Sequence, residues 1–172
     1  MTVYNFTNLQ AQSPVVPGHT FRVGAYFELT GALANGDTIV ATNFIPPDGI
    51  VILSALVYFA PLDTNATPTG TFELGDNQTD GPAAFRFITA ASLGAVGGGS
   101  AGQVHVYANT APAFTNGVQT RGVGYMYADN ENTTTSNNGY YNMVLTVTAG
   151  LATAAATGTV YLEVDYLCQG NV

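Results

Sequence analysis

The residues able to do acid–base or nucleophilic chemistry near neutral pH are few: His19, His105 and the single cysteine, Cys168. His19 closes a proline-bearing stretch, and His105 shares the polar face of a short strand pattern with Gln103 and Tyr107. One serine, Ser100, falls in a G-x-S-x-G spacing, Gly98-Gly99-Ser100-Ala101-Gly102, but that stretch lacks the strand-turn-helix context of a nucleophile elbow. Cys168, near the end of a strand pattern, reads as a small core residue. Glu163 and Asp165 alternate onto one face of the last strand, the residue pair that glycoside hydrolysis uses, but they read as a solvated sheet face. The oxygen-rich runs Asp76–Gly81 (with Asp80) and Asp129–Asn132 (with Glu131) do not match calcium-loop spacing and have the composition of Asx turns. Gly97-Gly98-Gly99 has no following lysine and helix to cradle a phosphate. The expectation is a chain with no catalytic residue, no cofactor and no metal.

Charge narrows the partners. The 172 residues hold three arginines (Arg22, Arg86, Arg121), no lysine and eleven carboxylates, for a net charge of −8. Charged residues are 8% of the chain, against roughly 25% in an average soluble domain. Nucleic-acid binding draws most of its affinity from Lys and Arg on phosphates, and an anionic membrane surface repels an acidic chain, so neither partner is expected. The polar surface must come from 14 Asn and 23 Thr. Such groups desolvate at less cost than charges, which suits a component of an assembly. With one cysteine there is no internal disulfide, as befits a protein made in a reducing cytoplasm. Met1–Gln10 has neither the basic nor the apolar region of a signal peptide, and no run reaches the length of a membrane span. The N-x-T sequons at Asn5, Asn65, Asn77 and Asn132 are expected by chance in so Asn- and Thr-rich a chain.

The elements that would position these residues are strands. Residues 1–19, with Pro14 and Pro17, lack a period and read as an extended arm that Tyr4 and Phe6 could anchor. In Thr20–Thr30, Phe21, Val23, Ala25, Phe27 and Leu29 share one face. A turn over Gly31–Gly36 leads to a strand at Asp37–Ile45, stopped by Pro46-Pro47-Asp48-Gly49. Ile50–Ala60 is apolar on both faces, with Val51, Leu53, Ala55, Val57 and Phe59 on one and Ile50, Ile52, Leu56 and Tyr58 on the other. A strand of that kind is covered on both sides, so a second surface should lie over it. Pro61–Gly70 reads as an exposed loop, Thr71–Leu74 as a short strand and 82–93 as the one candidate helix. Gln103–Asn109 alternates again, with Val104, Val106 and Ala108 inward, Gly122–Ala128 is aromatic-rich with Tyr125 and Tyr127, and Asp129–Gly139 is a polar loop. Tyr140–Ala149 places Tyr141, Met143, Leu145 and Val147 inward, and Gly158–Cys168 does so with Val160, Leu162, Val164 and Tyr166. About eight strands at such spacing predict an all-β antiparallel sandwich, jelly-roll-like, with an arm at 1–19 and a sandwich domain at 20–172.

Several of these segments also resemble a known family. Gly36-Asp37-Thr38-Ile39-Val40, then Phe44 to Ile52 through Pro46-Pro47-Asp48-Gly49, is similar to small virion proteins of tailed bacteriophages, in which a proline-glycine turn joins two strands. Thr71–Asp76, Phe85-Arg86-Phe87-Ile88 and the closing Gly158–Tyr166 follow the same pattern. The likeness spans roughly residues 36–168 and points to head decoration (cement) proteins, those of cyanophage-like viruses among them. Asp80–Ala84 lacks the acidic run expected there, and Asp129–Gly139 has no counterpart. The resemblance implies a jelly-roll body, often trimeric, that sits on capsomer junctions and clamps major capsid proteins with an extended arm.

The expectation from sequence is therefore a non-enzymatic virion protein on the outer capsid surface, assembled in the host cytoplasm. Its partners would be the major capsid protein and itself, as a homotrimer. The contact residues would be Tyr4, Phe6, Ile50, Ile52, Leu56 and Tyr58. The alternative is a tail, fibre or adhesin module that stacks a host glycan on Tyr125, Tyr127, Tyr140 and Tyr141.

Overall fold

Period-two alternation becomes strands wherever a polar residue can face outward between two apolar ones. The computed structural model describes residues 3–7, 18–45, 50–60, 62–76, 87, 102–107, 114–115, 118–119, 126–127 and 141–169. The strands are β1 (Val3–Thr7), β2 (Thr20–Leu29), β3 (Thr38–Ile45), β4 (Ile50–Phe59), β5 (Thr71–Asp76) and β6 (Gly102–Tyr107). The short β7 (Phe114–Thr115), β8 (Val118–Gln119) and β9 (Met126–Tyr127) precede β10 (Tyr141–Ala149) and β11 (Gly158–Cys168). One sheet runs β1-β3-β10-β5 and the other β2-β11-β4-β6, with β9 also on β4 and β7 paired with β8. Pairing is antiparallel except for β1, which runs parallel to β3. From β1 to β6, and again from β10 to β11, successive strands lie in alternate sheets.

The two sheets share one core. The inward faces read from sequence for β2, β10 and β11 are the buried ones: Val23, Phe27 and Leu29; Tyr141, Met143, Leu145 and Val147; Val160, Leu162, Val164 and Tyr166. Phe59 of β4 and Phe72 of β5 meet across the sheets with ring centroids 4.8 Å apart. Cys168 is fully buried in the same cluster, as its apolar surroundings in sequence suggest.

The faces of β4 differ from the expectation. Ile50 and Ile52 are fully buried, and so are Ala55, Val57 and Phe59, although the two sets have opposite parity. The register explains it. Asp165 pairs with Ser54 and Tyr166 with Ile52, so Leu53 is an extra residue in a bulge. The bulge reverses which parity looks inward. Ile50 and Ile52 are therefore core residues, and the outer face carries Val51, Leu53, Ser54, Leu56 and Tyr58.

Other expectations also change. Of the arm, Val3–Thr7 is an edge strand on the chain's own sheet, with Tyr4 opposite Ile39 and Phe6 opposite Ala41. Residues 8–17 lie outside the described residues. Of the candidate helix at 82–93 only Phe87 is described; it is buried, and its N–H donates to the Leu74 carbonyl at 3.1 Å. The Asp129–Gly139 loop also lies outside the described residues. Among the described residues no helix is long and apolar enough to cross a membrane.

The loop after β4 is anchored by a buried carboxylate. Asp63 Oδ1 accepts the N–H groups of Asn65 (3.1 Å) and Thr153 (3.0 Å), and Oδ2 those of Thr69 (3.0 Å), Ala152 (2.9 Å) and Gly70 (3.4 Å). It thereby ties the β4–β5 loop to the β10–β11 loop, some ninety residues on. Thr64 N–H to the Thr153 carbonyl (2.8 Å) and Ala155 N–H to the Leu62 carbonyl (2.8 Å) complete the junction. Asn65, in one of the sequons, spends its amide here, accepting from Thr67 N–H (2.9 Å) and donating to Thr153 Oγ1 (3.2 Å). Burial alone pushes a carboxylate up, but the N–H groups of Thr69, Thr153, Ala152 and Asn65 outweigh it and hold Asp63 well below the usual range. Of the expected exposed loop at Pro61–Gly70, residues 62–70 are thus a pinned segment, and Pro61 lies outside the described residues.

Both the bulge and the buried carboxylate can be tested by substitution. Ile52→Ala should cost about 3 kcal/mol in chemical denaturation, and Leu53→Ala less than half of that. The reverse order would show that β4 runs without the bulge. Asp63→Asn turns an amide NH2 toward N–H donors and should cost about 3 kcal/mol, or about 6–12 °C in Tm. Because the folded value of Asp63 lies below the unfolded 3.8, its stabilisation is complete above that pH and fades as the pH drops further. The Asn variant should therefore show a shallower acid loss of Tm below about pH 4 than the natural chain.

Candidate functional site

Those candidates read from the sequence that reach the surface do so mainly on the outer face of the five-stranded sheet. Antiparallel pairing sets residues of β2, β11, β4 and β6 in rows across that face. One row is Arg22, Asp165, Ser54 and position 107. The next is Gly24, Glu163, Leu56 and position 105. The third is Tyr26, Tyr161, Tyr58 and position 103. Rows stand about 7 Å apart and strands about 4.8 Å apart.

The first two rows form one charged network. Arg22 donates Nε to Asp165 Oδ1 at 2.7 Å and Nη2 to Oδ2 at 3.0 Å, a bidentate fork. Ser54 Oγ donates to the same Oδ2 at 3.0 Å. The Arg22 Nε also lies 3.3 Å from Glu163 Oε1. Glu163 Oε2 in turn accepts the Tyr161 hydroxyl at 2.6 Å. The hydrogen bond to Asp165, with the charges of both carboxylates, holds the guanidinium still further above its already high range. Partial burial, then the bond to Glu163, pushes the Tyr161 phenol up to about 12. A raised phenol adds stability that is complete below its unfolded value of 10 and lost as the pH climbs through the folded one.

Glycine makes room for this arrangement. Gly24 has no side chain, and the Tyr161 ring lies over its Cα, so that any Cβ there would collide with the phenol. An aromatic ring covering a cross-strand glycine is a recognised way to hold register in a sheet. The same lean carries the phenol to Glu163. The expected solvated face is thus partly closed: Glu163 is buried, and both carboxylates are engaged by hydrogen-bond and ion-pair donors.

The third row differs. Tyr26 is 60% exposed and Tyr58 41% exposed, the large hydrophobic side chains left most open among the described residues. Leu56, one row over, is half-buried. Of the expected contact residues, Leu56 and Tyr58 are therefore on this face and Ile50 and Ile52 are in the core. Tyr4 and Phe6 lie in β1, at the edge of the other sheet. Tyr26 is not among the residues that sequence pattern singles out. Its only signal is an aromatic residue at an outward position of β2, which gains meaning once the register sets it level with Tyr161 and Tyr58. The tyrosines suggested for a glycan fare otherwise: Tyr141 is fully buried, Tyr127 lies in β9, and Tyr125 and Tyr140 lie outside the described residues. His19 is exposed and its carbonyl accepts the Cys168 N–H at 3.0 Å, while His105 sits in β6 opposite Leu56. Asp76 is buried at the end of β5; Asp80, Asp129 and Glu131 lie outside the described residues.

Neither a protein-family model nor a curated protein sequence matches the chain. Solved structures with the same fold do exist. A chain of the cyanophage Pam1 capsid asymmetric unit superposes with a TM-score of 0.58 at 23% identity, over 92% of this chain and 91% of that one. A chain of the capsid of Ralstonia phage GP4 does so with a TM-score of 0.55 at 22% identity, over 98% and 99%. The fold defined here is thus one that also occurs in phage capsid structures.

Removing Arg22 tests the network. Arg22→Ala leaves Glu163 and Asp165 adjacent without their cation, so its Tm should fall at neutral pH and the deficit should narrow as the pH approaches the carboxylate range. A deficit independent of pH would mean that lost packing, not charge repulsion, is responsible.

Proposed function

We propose that the chain is a non-enzymatic structural protein of a tailed-phage virion, a decoration (cement) subunit bound to the outer surface of the head. The observation that carries this reading is the fold shared with chains of two phage capsids over more than nine-tenths of each length. The sequence likeness to decoration proteins over residues 36–168 agrees with it. A lysine-free chain of net charge −8 belongs on the outside of a shell packed with DNA, whose phosphates it would repel. The alternation of successive strands between the two sheets, from β1 to β6 and from β10 to β11, supports reading the sandwich as a jelly roll.

In this role each subunit, assembled in the host cytoplasm, would bind neighbouring major capsid proteins as part of a homotrimer. Binding the assembled lattice and not its free parts stabilises the shell by mass action. The contacts would come from Leu56 and Tyr58 on the outer face and from the 1–19 segment, with Tyr4 and Phe6 in the edge strand. An edge strand presents unpaired backbone groups on its free side, a ready means of joining a neighbour.

The test uses the full chain and heads of the encoding virus stripped of it. Native mass should give a trimer, and the protein should rebind the heads saturably and raise their resistance to heat. A variant lacking residues 1–7 should keep a cooperative unfolding transition yet bind the heads more weakly. A monomer that does not bind heads would overturn the proposal, and so would one that binds a host glycan instead.

A further inference from the structure

The outer face of the five-stranded sheet has a feature that cement function alone does not specify. Tyr26 and Tyr58, two strands apart and so about 9.5 Å from each other, stand out from a single row. Between them Tyr161 leans out of the row over Gly24, drawn by Glu163. Two exposed aromatic rings thus flank a place that no ring of the row fills. Beside Tyr26, on the same outer face of β2, is the exposed Glu28. Among the described residues, three carboxylates here, Glu28, Glu163 and Asp165, answer to one cation, Arg22, which is already committed to Asp165 and Glu163. These residues carry an excess of negative charge next to exposed π faces.

We propose that this patch is the docking surface for an arginine side chain presented by a partner protein, the guanidinium entering between Tyr26 and Tyr58 and facing the exposed Glu28. This deepens the head-binding reading and rests on it for the identity of the partner, though not for its chemistry. Tyrosine faces attract cations, and the planar guanidinium both stacks on rings and forks onto carboxylates, which an ammonium does less well. Arg22 on Asp165 already displays the fork on this sheet. A second copy docked face to face is the wrong occupant: its matching face carries the same charge, and the whole chain is at −8.

Two measurements separate the possibilities. In head rebinding, Tyr26→Ala with Tyr58→Ala should weaken affinity about tenfold or more. Glu28→Gln should weaken it a few-fold and flatten its fall between about 0.05 and about 0.5 M salt. Both changes are at exposed positions, and an unaltered Tm would confirm the fold. Independently, NMR titration of the natural chain with hexa-arginine should shift the ring signals of Tyr26 and Tyr58, assigned through their Phe variants. Hexa-lysine should shift them less, and a neutral oligosaccharide not at all. If the natural chain binds heads but the tyrosine pair can be removed without loss, this inference fails and the cement reading stands. If hexa-arginine shifts the rings but no head binds, the cement reading fails and the arginine site stands. Ring shifts with the oligosaccharide and none with hexa-arginine would overturn the arginine site in favour of a glycan.

Discussion

Opposite Asp165, β4 carries one residue more than its partner strand, and the arrangement of both faces of the larger sheet depends on that insertion. Before the bulge Ile50 and Ile52 look inward; after it Ala55, Val57 and Phe59 do. A regular strand would have had to expose one of these sets, at about 1.5–3 kcal/mol for each large side chain left in water. With the bulge, the core receives all five, and Ser54 turns outward to meet Asp165. The charged network and the tyrosine row both occupy a face whose membership the bulge decides.

Charge is scarce in this chain and correspondingly placed. Asp37, Asp63 and Asp76 are buried, and Asp63 shows how that is tolerated: an ion out of water survives when backbone N–H groups surround it. Asp37 plays a smaller version of the same part. Its Oδ2 accepts the Ala34 N–H at 2.9 Å and so closes the turn in which Gly36 takes a positive φ, a conformation open to glycine. On the outer face the charges answer one another instead: the exposed Arg22 pairs with Asp165 and with the largely buried Glu163 and so shapes the surface.

Identity near 22–23% with capsid chains, spread over nearly the whole length, is what a sandwich permits. The core asks only for apolar residues of suitable size at alternating positions, so sequence can drift while topology holds. Function then resides in the outer faces, which the core does not constrain. Among the described residues, that directs attention to the outer face of the five-stranded sheet, where exposed tyrosines lie beside carboxylates.

Alternation alone determined much. The facing of β2, β10 and β11, the all-β class and the burial of Cys168 are local consequences of which residues are apolar and how they are spaced. In β4 the sequence held a clue, apolar residues at both parities, but a run of that kind fits a strand covered on two sides as well as one that switches sides. Only pairing with β11 distinguishes them, because a bulge is a relation between two strands. The same holds for Asp63, whose donors at Ala152 and Thr153 are far along the chain, and for Tyr26, Tyr161 and Tyr58, which become neighbours through register. Spacing along a chain specifies how each segment faces; contacts between distant segments exist only once the sheets have closed.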